Sequence, residues 1–311
     1  MGAKSLSNND QAADPDGVRA DPLGVVSVDV CRPGQQILGV ALPSAQAVAD
    51  RVAQEVPVAL VFNGVSHAVM LASPTHLEDF AKGFAITEGI VDEPGQIYGV
   101  DVNAVRSEAV PGYEVQIDIA SAAFVRLKEK RRNLTGRTGC GLCGTESLNQ
   151  VIRPLPQVAQ TRTAPVEAGV IDRALKELPK FQPMQRLTGA MHAAAWCSPS
   201  GELLLLREDI GRHNALDKLI GAGIGTEHRS SGLKFGQGFV LVTSRASMEM
   251  VQKTLAAGFG MLVAVSAPTS LAIDMAQSHG LALVGFARPG RCSIYNAPAG
   301  VLVQSQQGHG V

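Results

Sequence analysis

Short apolar runs alternate with turn residues in the first part of the chain. Positions 56–62 and 65–71 are rich in apolar residues and flank the dipeptide Asn63-Gly64. Asn-Gly between two such runs is typical of a two-residue β-hairpin turn, because both central positions need positive φ. The pattern therefore predicts a β-hairpin at this point.

A helix is predicted next, because apolar residues recur at helical intervals from Leu77 to Phe84. Thr75 and Glu78 have the spacing of a capping box at its start. Gly89 is placed to end it as a glycine just beyond the last turn. Two further strands and a charged helix are predicted downstream, at 97–102, 113–119 and 122–132.

The pattern changes in the second half of the chain, where short and almost continuous apolar runs occur at 203–206, 239–243, 262–265 and 281–286. Such runs are typical of strands that are buried on both faces of a sheet. Strands that alternate with helices predict an α/β fold with a mostly parallel sheet. The helical segments between these strands are predicted at 212–220, 247–257 and 271–279.

These patterns divide the chain into four predicted segments. A polar, disordered tail covers 1–23, and a strand-rich N-terminal subdomain covers 24–135. A mobile loop and linker at 136–165 leads to an α/β domain at 166–300, in which we expect the ligand to bind.

Composition narrows the class of protein. The 311 residues are 45% hydrophobic and carry a formal net charge of −1, as in a globular chain of about two domains. Near-zero net charge gives no support for nucleic-acid or membrane partners, and we find neither a signal-peptide core nor an apolar run of about 20 residues. Five cysteines, mostly isolated, favour the reducing cytoplasm over a disulfide framework.

The strongest chemical signal is the sequence GRTGCGLCG at 136–144, which places Cys140 and Cys143 in a C-x-x-C motif among four glycines. Glycine removes the Cβ that would shield the sulfurs and predicts a mobile, exposed loop. Basic residues precede the motif, and nearby positive charge favours the reactive thiolate. Two thiols on a cationic loop suit the handling of sulfur. The basic residues are Arg126, Lys128, Lys130, Arg131, Arg132 and Arg137.

Three other readings of the motif compete with sulfur handling. A structural zinc site would need about four ligands, yet no second cysteine pair occurs in the sequence. A thioredoxin-like dithiol should lie where a strand meets a helix, which fits the turn-rich glycine spacing poorly. A deaminase zinc site joins H-x-E to P-C-x-x-C, but Gly139 replaces the proline of that signature. We therefore expect no metal site here.

Polar residues follow the predicted strands of the second half, where ligands bind in open α/β sheets. Arginine, serine and threonine recur there beside predicted helix N-termini, which favour anions such as phosphate. No glycine-rich dinucleotide motif or Walker lysine loop accompanies them. The residues are Arg207-Glu208-Asp209, Thr243-Ser244-Arg245, Ser266 with Thr269-Ser270, and Arg288-Pro289-Gly290-Arg291.

Several single residues in this region have simpler explanations. Asp209 has the position of a helix cap, and Asp217 and Lys218 are expected on a helix surface. His213 is either a general acid/base or a helix histidine satisfied by a neighbour. The remaining cysteines of this region, Cys197 and Cys292, are expected to be ordinary packed thiols.

Five motifs in this order resemble those of the formate dehydrogenase accessory sulfurtransferases, the FdhD/NarQ family. The resemblance covers about 56 to 296, and Cys292 and Ser293 are a mild departure from the bulkier residues expected there. The motifs are LEDFAKGFAITEGI at 77–90, RTGCGLCG at 137–144, EDIGRHNALDK at 208–218, SRASMEMVQK at 244–253 and GFARPGRCSIY at 285–295.

The resemblance implies a fold, partners and a reaction. The fold would be a three-layer α/β/α core like that of cytidine deaminase but without its zinc, together with the smaller strand-rich part, in a homodimer. A cysteine desulfurase would donate persulfide sulfur. The acceptor would be the molybdenum (or tungsten) bis-molybdopterin guanine dinucleotide cofactor, which then enters formate dehydrogenase.

The resemblance also implies the site residues. Cys140 would carry the persulfide with Cys143 as its helper, and sulfur would move by thiolate exchange. The alternative is a non-catalytic chaperone that holds the cofactor and delivers it to apo-formate dehydrogenase, a role that needs no exposed thiols. The cofactor would bind to Phe286, Ala287, Arg288, Pro289, Gly290 and Arg291.

Overall fold

The structure, a computed structural model, describes residues 24–32, 46–106, 110–132, 155, 166–298 and 302–303. The strands in these ranges are β1 (Val25–Arg32), β2 (Gln46–Ala53), β3 (Val56–Phe62), β4 (Val65–Ala72), β5 (Ile97–Val105), β6 (Gly112–Ile119), β7 (Val166–Glu167), β8 (His192–Cys197), β9 (Leu203–Asp209), β10 (Phe239–Val242), β11 (Met261–Ala264), β12 (Ala282–Arg288), β13 (Arg291–Asn296) and β14 (Leu302–Val303). The α-helices are α1 (Leu77–Thr87), α2 (Ser121–Arg132), α3 (Ala168–Glu177), α4 (Pro183–Thr188), α5 (Arg212–Gly223), α6 (Met248–Ala256) and α7 (Ser270–His279).

The first part of the chain forms a four-stranded sheet in the order β4-β3-β6-β5. Its β3–β4 hairpin turns at Asn63 and Gly64, whose φ angles are 45° and 76°. The hairpin prediction is therefore confirmed, with both turn residues in the left-handed region that a primed turn needs. Apolar side chains of β3, such as Leu60 and Phe62, pack in one core with Phe80 of α1.

Helix α1 begins differently from the prediction. His76 occupies the N-cap position with φ 54° and makes no side-chain cap, so the capping box at Thr75 and Glu78 is wrong. Thr75 lies one residue too early in the chain, and its hydroxyl lies 3.4 Å from that of Ser73 instead. The end of the helix is confirmed, because Gly89 follows the last turn with φ 62° and its amide donates to the carbonyl of Ile86.

The second part forms a six-stranded sheet in the order β13-β12-β11-β10-β8-β9. Strands β9, β10, β11 and β12 run in one direction, but the parallel pairs are only β10–β11 and β11–β12. The other three strand pairs of this sheet are antiparallel, so the prediction of a mostly parallel sheet is wrong. Two unpredicted strands, β8 and β13, run the other way, because short connections join each to a neighbour and such connections link antiparallel strands.

Helices cover both faces of this sheet. Val240 and Val242 of β10 pack with helices α5, α6 and α7, whereas Phe239 and Leu241 of the same strand pack with α3. Alternate side chains of a strand point to opposite faces, so the domain has a helix layer, a sheet and a second helix layer. The α/β class is confirmed, and the specific likeness to cytidine deaminase stays a prediction.

The two sheets are joined where α1 crosses α5. Both helices carry a glycine at the crossing, Gly83 on α1 and Gly221 on α5. A Cβ at Gly83 would lie 1.8 Å from the carbonyl oxygen of Asp217, and one at Gly221 would lie 1.8 Å from that of Asp79. The two backbones can approach this closely only because neither residue has a side chain.

The predicted division of the chain is only partly within the described residues. The tail at 1–23 lies outside them, as does all of the segment 136–165 except Leu155. The longest described helices, α2 and α5, have 12 residues, and none of those described is long and apolar enough to cross a bilayer.

Candidate functional site at the carboxyl edge of the sheet

The predicted sulfur-handling residues, Cys140 and Cys143, lie outside the described residues. The start of the basic approach to them lies on α2. There, Arg126 pairs with Asp92 at 2.7 Å, and the ammonium of Lys128 lies 4.2 Å from the ring centroid of Phe124. These two positive charges already have local partners on the surface of the N-terminal part.

The predicted polar strand ends come together at one edge of the six-stranded sheet. Because β9 to β12 run in one direction, their carboxyl ends share this edge. Backbone hydrogen bonds join the loops that follow them: the amide of Ser266 donates to Ser244 (3.3 Å), and that of Phe286 donates to Ser266 (3.1 Å). Helices α5, α6 and α7 begin at the same edge, so their unpaired N–H groups face it as well.

The predicted cofactor-binding stretch forms the turn between β12 and β13 at this edge. Ala287 is buried, whereas Phe286 is 48% exposed and has φ 49°. The turn residues are Pro289 and Gly290. Gly290 has φ 82°, and its amide donates to the carboxylate of Asp172 on α3 at 2.6 Å. The turn is thus attached to the helix beneath it, while the Phe286 ring faces solvent.

The two arginines of the stretch lie opposite each other across the hairpin and are both exposed. The guanidinium of Arg288 donates through Nη1 to the carbonyls of Val265 and Ala287. Arg291 has no hydrogen bond or ion pair with any other described residue. Arg291 therefore keeps all its donors for an anion, and Arg288 keeps only those that its backbone contacts leave.

The first predicted strand end, Arg207-Glu208-Asp209, serves a structural role. Arg207 Nε pairs with Asp79 of α1 at 2.8 Å. The buried carboxylate of Glu208 accepts hydrogen bonds from the amides of Met184 (3.0 Å) and Gln185 (2.8 Å) at the start of α4. Burial raises the pKa of Glu208, although these two amides oppose the shift. Arg207 and Glu208 therefore attach β9 to helices α1 and α4.

Asp209 and Lys218 form a fully buried ion pair. Lys218 Nζ lies 2.5 Å from Asp209 Oδ2, and both side chains are 0% exposed. Ser73 completes the pair, since its amide and hydroxyl donate to the same carboxylate oxygen and its oxygens accept from the lysine. Asp209 also accepts from the amide of Gly211 at 2.8 Å. Gly211 itself is the N-cap residue of α5, and no side chain caps this helix, so the prediction that Asp209 is its cap is wrong. The expectation that Lys218 lies on a helix surface is wrong.

Asp217 is likewise buried rather than on the helix surface that we expected. Both of its carboxylate oxygens lie 2.9 Å from Lys253 Nζ on α6. Thr87 at the end of α1 donates to Asp217 at 2.6 Å and accepts from Lys253 at 2.9 Å. The physical reason is the close crossing of α1 over α5, which covers this face of α5 and leaves a charge there no contact with water.

A second polar cluster, which the strand-end pattern did not single out as a site, lies at the first turns of α5 and α6. We call Arg212, His213, Ser247 and Glu249 the α5–α6 cluster. The hydroxyl of Ser247 donates to Glu249 Oε2 at 2.8 Å, and His213 Nε2 lies 3.4 Å from the same oxygen. Burial and then the neighbouring Arg212 lower the pKa of His213 to about 4, so its imidazole is neutral near pH 7.

Charge within the α5–α6 cluster is therefore concentrated on Arg212 and Glu249. Partial burial opposes ionisation of Glu249, but the Ser247 hydroxyl and His213 together hold the pKa of its carboxyl below its usual range. One feature of the sequence points to the cluster. His213 is the second residue of α5 and Glu249 is the second residue of α6, and each helix follows a predicted strand end. Their pairing requires the two helices to lie side by side.

Cys197 and Cys292, the two cysteines whose side chains the structure describes, are packed thiols, as predicted. Cys197 is 0% exposed and Cys292 is half-buried. Burial raises the pKa of both thiols, so neither is a thiolate near neutral pH. Within the described ranges, no group of three histidine, cysteine or acidic side chains is arranged to hold a metal ion.

Fold and site together define an α/β protein that has exposed arginines at the carboxyl edge of its six-stranded sheet and a C-x-x-C segment earlier in the chain. A sequence profile of the FdhD/NarQ family matches residues 53–302, so the chain belongs to this family. It is 53% identical over 249 residues to the sulfur carrier protein FdhD of Variovorax paradoxus (strain S110), an alignment that covers 80% of this chain and 86% of that protein.

A solved structure supports the fold independently. The chain is similar to a protein from Desulfotalea psychrophila assigned as a formate dehydrogenase accessory protein, with a TM-score of 0.62 and 23% sequence identity. The match covers 89% of this chain and 98% of the other. At this identity it shows a shared fold, and the residue roles must be argued from the site.

Proposed function

We propose that this chain is a sulfurtransferase that accepts sulfur from a cysteine desulfurase and passes it to the molybdenum bis-molybdopterin guanine dinucleotide cofactor of formate dehydrogenase. The observation that carries the proposal is the combination of a C-x-x-C segment with an arginine-bearing sheet edge in a chain 53% identical to a sulfur carrier protein. We further propose that it works in the cytoplasm as a homodimer.

The sulfur-accepting step is a thiol–persulfide exchange. The thiolate of Cys140 attacks the terminal sulfur of the donor persulfide and forms a new S–S bond, while the donor cysteine leaves as a thiolate. Cys140 is the proposed carrier because it lies nearer to Arg137 and the basic approach, and positive charge favours the thiolate. Cys143 is the proposed helper.

The acceptor is proposed to bind as a substrate at the carboxyl edge of the six-stranded sheet. Its guanine dinucleotide portions carry diphosphates, and Arg291 with the remaining donors of Arg288 suits them, because guanidinium groups make forked hydrogen bonds to phosphate oxygens. The N-termini of α5, α6 and α7 at the same edge add partial positive charge. The exposed ring of Phe286 offers a flat surface beside them.

Intact-mass spectrometry after incubation with a cysteine desulfurase and cysteine tests the proposal. We expect a sulfur adduct of about 32 Da that maps to Cys140, because the most accessible low-pKa thiol reacts first. The adduct should be absent from Cys140→Ala and present in Cys143→Ala.

Two outcomes would contradict this assignment. Labelling that persists in Cys140→Ala and disappears in Cys143→Ala would exchange the two roles. If no variant or wild-type protein takes up sulfur, while the protein still binds the cofactor and restores formate dehydrogenase, the chain is a non-catalytic chaperone instead.

A further inference from the structure

One side of the four-stranded sheet carries apolar side chains that are exposed. Leu60 of β3 and Ile117 of β6 are buried in the core that contains α1, so their neighbours along each strand point to the other side of the sheet. We call this other side the outer face; Val69, Ala59 and Glu114 form one of its cross-strand rows. The side of a sheet that faces water usually carries polar residues, but at β4 the outer face does not.

The apolar part of the outer face crosses neighbouring strands. Val69 and Leu71 of β4 are 63% and 57% exposed, and Leu71 pairs with Pro57 of β3. A Cβ on Gly112 of β6 would lie 2.8 Å from the ring of Pro57, and Gly112 pairs with the exposed Val105 of β5. Single exposed apolar residues are common, whereas a contiguous group of them marks an interaction surface.

The charge on the strands of this sheet is entirely negative and lies on the outer face. The four strands contain Asp101, Glu114 and Asp118, but no lysine or arginine. Asp101 pairs with Gln116, which lies between the other two acidic residues on the same side of β6. None of the three carboxylates forms an ion pair with another described residue. The outer face therefore has an acidic part beside its apolar part.

The apolar part also continues to the carboxyl edge of the six-stranded sheet. The carbonyl of Leu71 accepts a hydrogen bond of 2.8 Å from Asn214, in the first turn of α5. The amide of Ser73, two residues further along the chain, donates at 3.0 Å to Asp209 at the end of β9. A protein that covers the outer face would therefore lie beside the proposed cofactor site.

A second copy of this chain is a poor match for the outer face. Contact between two copies across a two-fold axis uses the same surface on both. An axis that runs across the strands places the acidic parts of the two copies together, and an axis along the strands places each acidic part on an apolar part. The first arrangement opposes like charges, and the second buries carboxylates without partners. The partner that fits has apolar side chains beside basic ones.

We propose that the outer face docks the formate dehydrogenase apoprotein when the cofactor is handed over, against a surface of that protein on which apolar and basic side chains adjoin. The proposal rests on the proposed function, because it assigns the place where the recipient of the cofactor meets this chain. Val69 and Leu71 form the apolar centre of the contact. Asp101, Glu114 and Asp118 pair with the basic side chains of the recipient.

Binding of the full-length protein to the cofactor-free formate dehydrogenase of the same organism, measured by biolayer interferometry, tests the proposal. Val69→Glu places a charge in the apolar centre and should weaken binding by about tenfold or more. Glu114→Lys reverses a charge in the acidic part and should weaken binding most at low salt. Val125→Glu is the matched control and should bind like wild type. Val125 is 53% exposed on α2, which packs on the opposite side of the sheet.

Two further measurements separate this proposal from the proposed function. All three variants should bind GDP and take up sulfur like wild-type protein, because the substitutions lie outside both the cysteine segment and the carboxyl edge. Wild-type protein that takes up sulfur and binds GDP but does not bind the apoprotein would overturn the docking proposal alone. If wild-type protein neither takes up sulfur nor binds GDP, the proposed function fails, and the docking proposal fails with it.

Three other results would overturn the docking proposal. The first is unchanged binding of the apoprotein in both Val69→Glu and Glu114→Lys. The second is a dimer that Val69→Glu separates and Val125→Glu does not, in sedimentation velocity, because the outer face then contacts a second copy. The third is a melting temperature of Val69→Glu several degrees below that of the control, which would show that another segment of this chain covers the face.

Discussion

At the scale of single residues, two buried lysines are the most unexpected feature. Lys218 and Lys253 lie on helices whose sequences look solvent-facing, yet they are 0% and 5% exposed. Lys218 forms an ion pair with Asp209 and a hydrogen bond with the hydroxyl of Ser73. Lys253 makes the same two kinds of contact with Asp217 and Thr87. Within the motif at 208–218, Asp209, Asp217 and Lys218 therefore serve to join the two sheets.

Lys218→Met should destabilise the protein strongly. The substitution leaves the Asp209 carboxylate buried without its counter-charge, which costs about 3–5 kcal/mol when one partner of a buried pair is removed. The free energy of unfolding from urea denaturation, followed by circular dichroism, measures the loss.

Lys176→Met is the matched control for this substitution. Lys176 pairs with Asp172 at 2.5 Å, but its side chain is 62% exposed, and exposed pairs contribute about 0–1 kcal/mol. Equal effects of the two substitutions would show that Asp209 and Lys218 are accessible to water in solution.

At the scale of helices and strands, local patterns predicted most elements. The Asn63-Gly64 hairpin, the charged helix α2 and strands β9 to β12 were found because turn residues and hydrophobic period carry the signal locally. Strand β8 was missed because its Ala-Ala-Ala centre has low strand propensity. Strand β13 was missed because it is a polar edge strand, so its pairing depends on β12 rather than on its own pattern.

Gly83→Ala should weaken the contact between α1 and α5. The new Cβ would lie 1.8 Å from a backbone carbonyl of α5, so the helices must move apart and lose packing, at a cost of about 1–3 kcal/mol or more. Thermal unfolding of the variant measures the effect as a lower melting temperature.

Gly169→Ala on α3 is the control for the same substitution. A Cβ there meets no atom within 4 Å, and alanine is favoured over glycine in a helix by about 1 kcal/mol. Stability should therefore be unchanged or slightly higher. A Gly83→Ala protein as stable as this control would mean that the crossing is looser than the structure has it.

At the scale of the whole molecule, the sequence indicated where a ligand would bind but not which side chains would meet. The carboxyl edge of the six-stranded sheet follows from the direction of the strands alone. The prediction that the residues after β10, β11 and β12 lie together is therefore correct. The α5–α6 cluster and the burial of Asp217 depend on which helix faces lie against each other. That information arises only when the sheets are assembled.

The double variant Arg288→Ala/Arg291→Ala should lose nucleotide affinity, whatever the base of the nucleotide. Hydrogen bonds to charged groups contribute about 1.5–3 kcal/mol each, so binding of GDP, IDP and ADP should all weaken by about tenfold or more. Calorimetric titration measures the three affinities.

Arg229→Ala is the control, because Arg229 is exposed on the 226–235 segment and should bind all three nucleotides like wild type. Unchanged affinity in the double variant would move the phosphate site towards Ser244 and Arg245. A loss confined to GDP would place these arginines at the base instead.

The crossing of α1 and α5 restricts how this protein can change over time. Most packing conflicts between two side chains can be relieved when the second residue becomes smaller. Gly83 and Gly221 face backbone carbonyls of the opposite helix, and a carbonyl belongs to every residue type. No second substitution can make room, so each of the two positions must keep its glycine for as long as the helices cross there.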